Sequence, residues 1–192
     1  MKNSLAIITF LLISQAVLAQ NSYNYIRNAE EVKGKRIVYT EIDIDASSEL
    51  VRNKFLEFSN WSKWCKVIPE IKVISGDIDH LETKPKLVLK LDFGRKKDPQ
   101  KAPMNPIVTI NSKDLFVWGI YNGFLIKAEH VFVFEPINDS KGTHLIHYER
   151  MTGLLSSFLI TKKVKANMTK RYNIMNQDLK NICMKIKSIR MN

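Results

Sequence analysis

A hairpin running straight into one long amphipathic helix is the feature that most limits how this chain can fold. Residues 118–123 read W-G-I-Y-N-G and residues 130–136 read H-V-F-V-F-E-P. After a polar turn at Asn138-Asp139-Ser140-Lys141, residues 142–155 read G-T-H-L-I-H-Y-E-R-M-T-G-L-L. Beyond Gly153 the periodicity changes. Ile160, Val164, Met168, Tyr172, Met175, Leu179, Ile182, Ile186 and Ile189 advance in steps of four or three, the repeat of an amphipathic helix. Such a helix must bury its apolar stripe, and the strands before it supply the surface. A sheet curved around a single helix encloses space.

The upstream sequence supplies the rest of that sheet. Val38, Thr40, Ile42 and Ile44 alternate with polar residues, as in a half-buried strand. Ser47 is placed to cap a helix carrying Val51, Phe55 and Phe58, which ends near Asn60. Trp61 to Cys65 then forms a second short helix or turn, stopped before Pro69. Strands are predicted around Ile71–Val73, Leu87–Phe93, Ile107–Asn111 and Leu115–Ile120, with a loop at 94–106 marked by Gly94, Pro99, Pro103 and Pro106. The expected class is α+β: a curved antiparallel sheet of about six to seven strands, two short helices after the first strand, and a long C-terminal helix.

The spacing F-x-x-F-x-x-W-x-x-W-x-x-x-I-P from Phe55, then L-F-V-W-G, H-V-F-V-F-E-P, G-T-H-L-I-H-Y-E-R-M-T-G-L-L and N-x-x-L-K from Asn176, resembles the SRPBCC superfamily. These are START-like, helix-grip proteins of the polyketide cyclase/dehydrase-like type. The resemblance runs from about Ile37 to Ile186. It departs at Ser47-Ser48, where family members often begin the first helix with prolines. It implies a cavity between the sheet and the last helix, and either ligand binding or cyclase/dehydratase chemistry there.

The chain opens with Lys2, an apolar run from Leu5 to Leu18, and Val17-Leu18-Ala19 before Gln20, the pattern of a secretory signal cleaved after Ala19. That run is too short to span a bilayer and is interrupted by Ser14 and Gln15. The expected organisation is a signal at 1–19, an N-terminal extension at 20–35 and one domain at 36–190, exported to a periplasm or secreted. In such a compartment Cys65 and Cys183 form either one bridge or two buried thiols. The net charge of +11 is uneven: from Leu154 onward nine Lys and Arg residues face one acid, Asp178. This is the wet side of the helix or a weak contact with an anionic membrane surface. Nucleic acid is not an expected partner, because the basic residues lack an interleaved aromatic platform. A monomer or weak dimer without cofactor or metal is expected.

The hairpin carries the candidate chemistry. With Glu135 set opposite Gly142, His130 faces His147 and Phe132 faces Leu145, so that His130, Phe132, His147, Glu149 and Met151 share one apolar face. His130, His147 and Glu149 are then the residues to orient a ligand's polar end, or to act as acid and base with Glu149 raised in pKa by burial. Alternatively they form a network that satisfies itself. A two-His, one-carboxylate metal site would use the same side chains, though nothing fixes its geometry, and His144 points the other way from His147. Trp61, Trp64, Leu89, Leu91, Trp118, Tyr121, Met168, Tyr172 and Met175 complete the expected pocket lining. The expected function is binding of a small hydrophobic ligand, such as a lipid, isoprenoid or polyketide-like molecule. The alternative is a cyclase, dehydratase or hydrolase.

Overall fold

The computed structural model describes residues 37–191, except for the side chains of Ser157, Arg190 and Met191. The expected signal (1–19) and extension (20–35) lie outside the described residues. Strand β1, Ile37–Ile44, leads to helix α1, Ser48–Leu56, and a 3-10 turn at Phe58–Lys63. Strands β2 (Glu70–Ser75), β3 (Lys86–Leu91), β4 (Gln100–Lys101), β5 (Ile107–Asn111), β6 (Leu115–Asn122), β7 (Ile126–Ile137) and β8 (Gly142–Thr152) follow. A short α2 (Ser156–Leu159) precedes α3, Lys162–Met191.

Every pairing is antiparallel, and the strand order is β1-β8-β7-β6-β5-β3-β2, with β4 attached to β3. The eighth strand, β4, is a two-residue edge within the stretch expected to be loop. Register shifts at Val73/Ser75 and Val108/Ile110 mark bulges, which bend a sheet and increase its twist.

The β7–β8 register differs from the expected one by two residues. His130 stands opposite Glu149, Phe132 opposite His147 and Phe134 opposite Leu145. The turn at 138–141 is the expected one, but β7 continues through Pro136, so that Ile137 rather than Glu135 pairs with Gly142. Only four residues are left for the loop, of which Asn138, Asp139 and Ser140 have φ of 52°, 53° and 66°. Short polar side chains tolerate that left-handed region best. Because side chains alternate with period two, a slip of two changes the partners and keeps the faces.

The concave face packs on α1 and α3 through one aromatic-rich core. Phe55 of α1 sits at its centre, with ring centroids 4.6 Å from Phe132, 5.2 Å from Trp61, and 5.4 Å from both Phe116 and Phe134. Ser47 caps α1 by accepting from the Leu50 amide, 3.4 Å away. The long helix does not start at Leu154. Gly153, with φ +100°, ends β8 so close to Leu125 that a Cβ there would lie 2.7 Å from its carbonyl oxygen. The Thr161 side chain then caps α3 at the Val164 amide, 3.2 Å away. Farther along, buried Asp178 accepts from the Lys66 amide at 3.1 Å, tying α3 to the loop after the 3-10 turn.

Candidate ligand-binding site

Between the concave face and α3 lies a cavity of about 350 Å³, within the roughly 300–1,000 Å³ range typical of small-molecule sites. Leu89 and Leu91 of β3 and Trp118 of β6 form part of its wall. Met168 and Tyr172 of α3 close it, and His130 and Glu149 supply polar atoms from β7 and β8. Val67, Ile68 and the 102–106 loop complete an apolar lining. A larger groove of about 790 Å³ along α3, from Lys162 to Gln177, is open to solvent and lies away from these polar groups.

Several expected lining residues are core instead. Trp61 is fully buried against Phe55, and its indole N–H donates to the Phe55 carbonyl at 2.6 Å. Trp64, Phe132 and Met175 are likewise core, and the half-buried Met151 is not part of the cavity wall. They occupy the correct side of the fold, but the layer around Phe55 fills that end and leaves space only toward β3 and the N-terminal half of α3. Tyr121 is on the wrong face. It differs by an odd number of residues from Trp118, so it lies on the convex side, where its hydroxyl is 3.2 Å from Glu129. Its ring folds back over Gly119, where a Cβ would meet the phenol oxygen at 2.7 Å.

His130, Glu149 and Tyr172 converge at one point in the cavity wall. His130 Nε2 is 3.0 Å from Glu149 Oε2 and 3.0 Å from Tyr172 Oη, and the Tyr172 hydroxyl donates to the same carboxylate oxygen. Burial pushes the Glu149 carboxyl upward, but the adjacent His130 and the hydrogen bonds from His130 and Tyr172 outweigh it and hold the group below the usual carboxylate range. This corrects the expectation of a raised pKa, which considered burial without the partners. The Tyr172 phenol is pushed well above its ordinary value by burial and by Glu149, so it serves as a donor.

His147 stands apart from this trio. It lies outside the cavity lining, stacked between Phe132 and Tyr172 with both centroids at 4.3 Å. Thr40 Oγ1 donates to the His147 carbonyl at 3.0 Å and accepts from Asn176 Nδ2 at 3.0 Å. Asn176 therefore turns Oδ1 toward His147 Nδ1, 2.9 Å away, which makes Nδ1 the protonated nitrogen. Burial and the nearby His130 lower the His147 pKa to about 3, despite the Asn176 hydrogen bond. A neutral, packed imidazole is structural, and Tyr172 takes its expected place in the polar trio. Asn176 was legible as the one amide on the apolar stripe, a single turn after Tyr172. At the cavity mouth, Phe93 continued the alternation of Leu87, Leu89 and Leu91, whereas Arg95 and Arg171 had no periodic signal.

Among the described residues, no group of three His, Cys, Asp or Glu side chains is arranged to hold a metal ion. His144 faces outward to Asp43 at 2.6 Å. Cys65 and Cys183 are separate buried thiols, each pushed up to about 12 by burial. The bridge considered from the sequence is not formed.

No family model matches the sequence, and no curated protein matches it. Solved structures do. A START superfamily protein from Mycobacterium smegmatis superposes with a TM-score of 0.61 at 16% identity, over 78% of this chain and 98% of the other. The fold is START-like. The helix-grip arrangement recurs in the Zhui aromatase/cyclase from Streptomyces sp. R1128, at TM-score 0.58 and 8% identity over 78% and 94% of the two chains. It recurs again in the di-domain aromatase/cyclase StfQ of the steffimycin pathway, at TM-score 0.54 and 11% identity over 84% of this chain and 55% of the other. At such identities the START-like likeness concerns the fold alone.

Proposed function

We propose that this protein is an exported binding protein for a small hydrophobic ligand held between the sheet and α3. The observation that carries this reading is the apolar cavity of about 350 Å³ with one compact polar trio in its wall. Burial of apolar surface drives binding, at roughly 25 cal/mol per Å² removed from water. A ligand hydroxyl or carbonyl meets His130, Glu149 and Tyr172, which fix its orientation. The export reading rests on the N-terminal pattern through Ala19.

The test is native mass spectrometry of the purified protein followed by organic extraction, beside a Met168→Trp variant that fills the cavity from α3. A hydrophobic adduct in the wild type that is absent from a folded Met168→Trp variant is the expected result. An adduct that persists in the variant, or a wild type that binds no apolar molecule offered to it, refutes the reading.

A second reading is favoured by the trio itself. A carboxylate, an imidazole and a phenol converging beside an apolar pocket can shuttle a proton during cyclisation or dehydration. Glu149→Gln separates the two. A binder keeps its ligand with modestly changed affinity, whereas an enzyme keeps binding and loses turnover.

A further inference from the structure

The cavity mouth carries two guanidinium groups that the binding reading leaves unused. Arg95 and Arg171 both line it, and their Cζ atoms lie 5.2 Å and 5.8 Å from the centroid of one ring, Phe93. The loop holding Phe93 and Arg95 is tied down by its own carboxylates. Asp98 Oδ2 accepts from the Phe93 amide at 2.8 Å and the Arg95 amide at 2.6 Å, and Asp92 Oδ1 accepts from the Gly94 amide at 2.7 Å. A Cβ on Gly94 would lie 3.3 Å from Arg171 Nη2, so the helix guanidinium rests on this loop. Among the described residues, neither guanidinium has a carboxylate within ion-pair distance.

Resting on the binding reading above, we propose that the ligand is an amphiphile whose acidic head group, a carboxylate or phosphate, is held at the mouth by Arg95 and Arg171. The guanidinium fork matches both anions in a two-pronged geometry, and an anion between two like charges relieves their repulsion. The apolar body then points past Leu91 and Met168 toward the trio.

The test is calorimetric titration with dodecanoate, dodecyl phosphate, methyl dodecanoate and 1-dodecanol. Wild type is compared with an Arg95→Gln/Arg171→Gln double variant whose folding is checked by melting. The expected result is about tenfold or tighter binding of the charged amphiphiles over the neutral ones, with that ratio falling toward one in the double variant. Equal affinities, or a preference that survives the double variant, overturn the head-group inference and leave the cavity reading standing. Failure of all four compounds to bind overturns the cavity reading itself. The ratio between dodecanoate and dodecyl phosphate tells which anion the mouth prefers. Inorganic phosphate binding as tightly as dodecyl phosphate would refute the requirement for an apolar body.

The surface beside α2 is independently unusual. Phe124 and Phe158 are each 77% exposed, Leu154 62%, Leu159 48% and Leu155 41%. These residues are neighbours: the Leu154 amide donates to the Phe124 carbonyl at 3.1 Å, the Leu155 amide to Leu125 at 3.0 Å, and the Phe158 amide to Leu155 at 3.1 Å. Clustered exposed apolar residues on a folded domain mark a contact surface. The chain next to them carries Lys162, Lys163, Lys165, Lys170 and Arg171, with no acid between Thr152 and Gln177. Val164, in the same stretch, also lines the cavity. We infer that this tip docks on an anionic phospholipid bilayer, with its side chains entering the interface and the lysines facing the head groups.

Flotation with phosphatidylcholine vesicles, with and without phosphatidylglycerol, tests it. Binding only to the anionic vesicles is expected, weakened at about 0.5 M salt and lost in Phe124→Ser/Phe158→Ser, which still binds 1-dodecanol. Absence of vesicle binding, binding unchanged in the variant, or a wild-type dimer in sedimentation that the variant abolishes would each overturn it.

Discussion

His147 makes the structure's stability depend on pH in a calculable way. Its imidazole is buried between Phe132 and Tyr172, donates through Nδ1 to Asn176, and has its pKa lowered from 6.5 to about 3. The unfolded chain therefore takes up a proton that the folded chain refuses. Stability from this group is full above pH 6.5 and declines as the pH falls toward 3, with a limiting slope of about 1.4 kcal/mol per pH unit. Between about pH 7.5 and about pH 4.5 the loss is on the order of 3 kcal/mol, a large fraction of a typical domain's stability. Replacing His147 with Gln removes the titration while keeping an N–H donor for Asn176. Urea unfolding of both proteins at the two pH values isolates the effect, because the other titrating groups contribute equally and cancel in the comparison. The variant is expected to lose roughly 3 kcal/mol less than the wild type on acidification. An equal loss in the two proteins would refute the buried neutral imidazole. Glu149 acts in a lower window. Its depressed pKa gives stability that persists above the ordinary carboxylate range and disappears only as the pH falls through the folded value.

Two further perturbations address the frame of the site. Phe55→Ala removes the ring on which Trp61, Phe116, Phe132 and Phe134 converge, and should cost about 3–5 kcal/mol in chemical denaturation; a cost below about 1 kcal/mol would contradict the packing. Gly153→Ala places a Cβ at φ +100°, 2.7 Å from the Leu125 carbonyl oxygen, and should lower the melting temperature by several degrees, reflecting about 1–3 kcal/mol of strain.

The fold was legible because its signals are periodic. The alternation from Val38 to Ile44 and the stripe from Met168 to Ile186 state which faces are buried, although the ends of that stripe, Val164 and Ile189, are exposed. Face assignments on the hairpin survived a register error because that error was even-numbered. The error lay in setting Glu135 opposite Gly142, although a turn at 138–141 leaves Ile137 to pair with Gly142. Lining and core could not be separated from the sequence, since Trp61 and Trp118 look equally suited to both. Only the position of Phe55 shows which part of the interior is filled. Tyr121 was a different matter, because its odd spacing from Trp118 already placed it outside. The trio's third member was Tyr172 rather than His147, a pairing across helix and sheet that no local spacing encodes.

On the proposed reading, the cavity closed by Met168 and Tyr172 takes up an apolar molecule. Titration with the neutral fluorescent probe N-phenyl-1-naphthylamine tests it directly, in wild type and in Met168→Trp, with melting curves confirming that both are folded. Saturable enhancement with one site per chain in the wild type, abolished in the variant, is the predicted result. No saturable enhancement in the wild type, or the same enhancement in Met168→Trp, would contradict it.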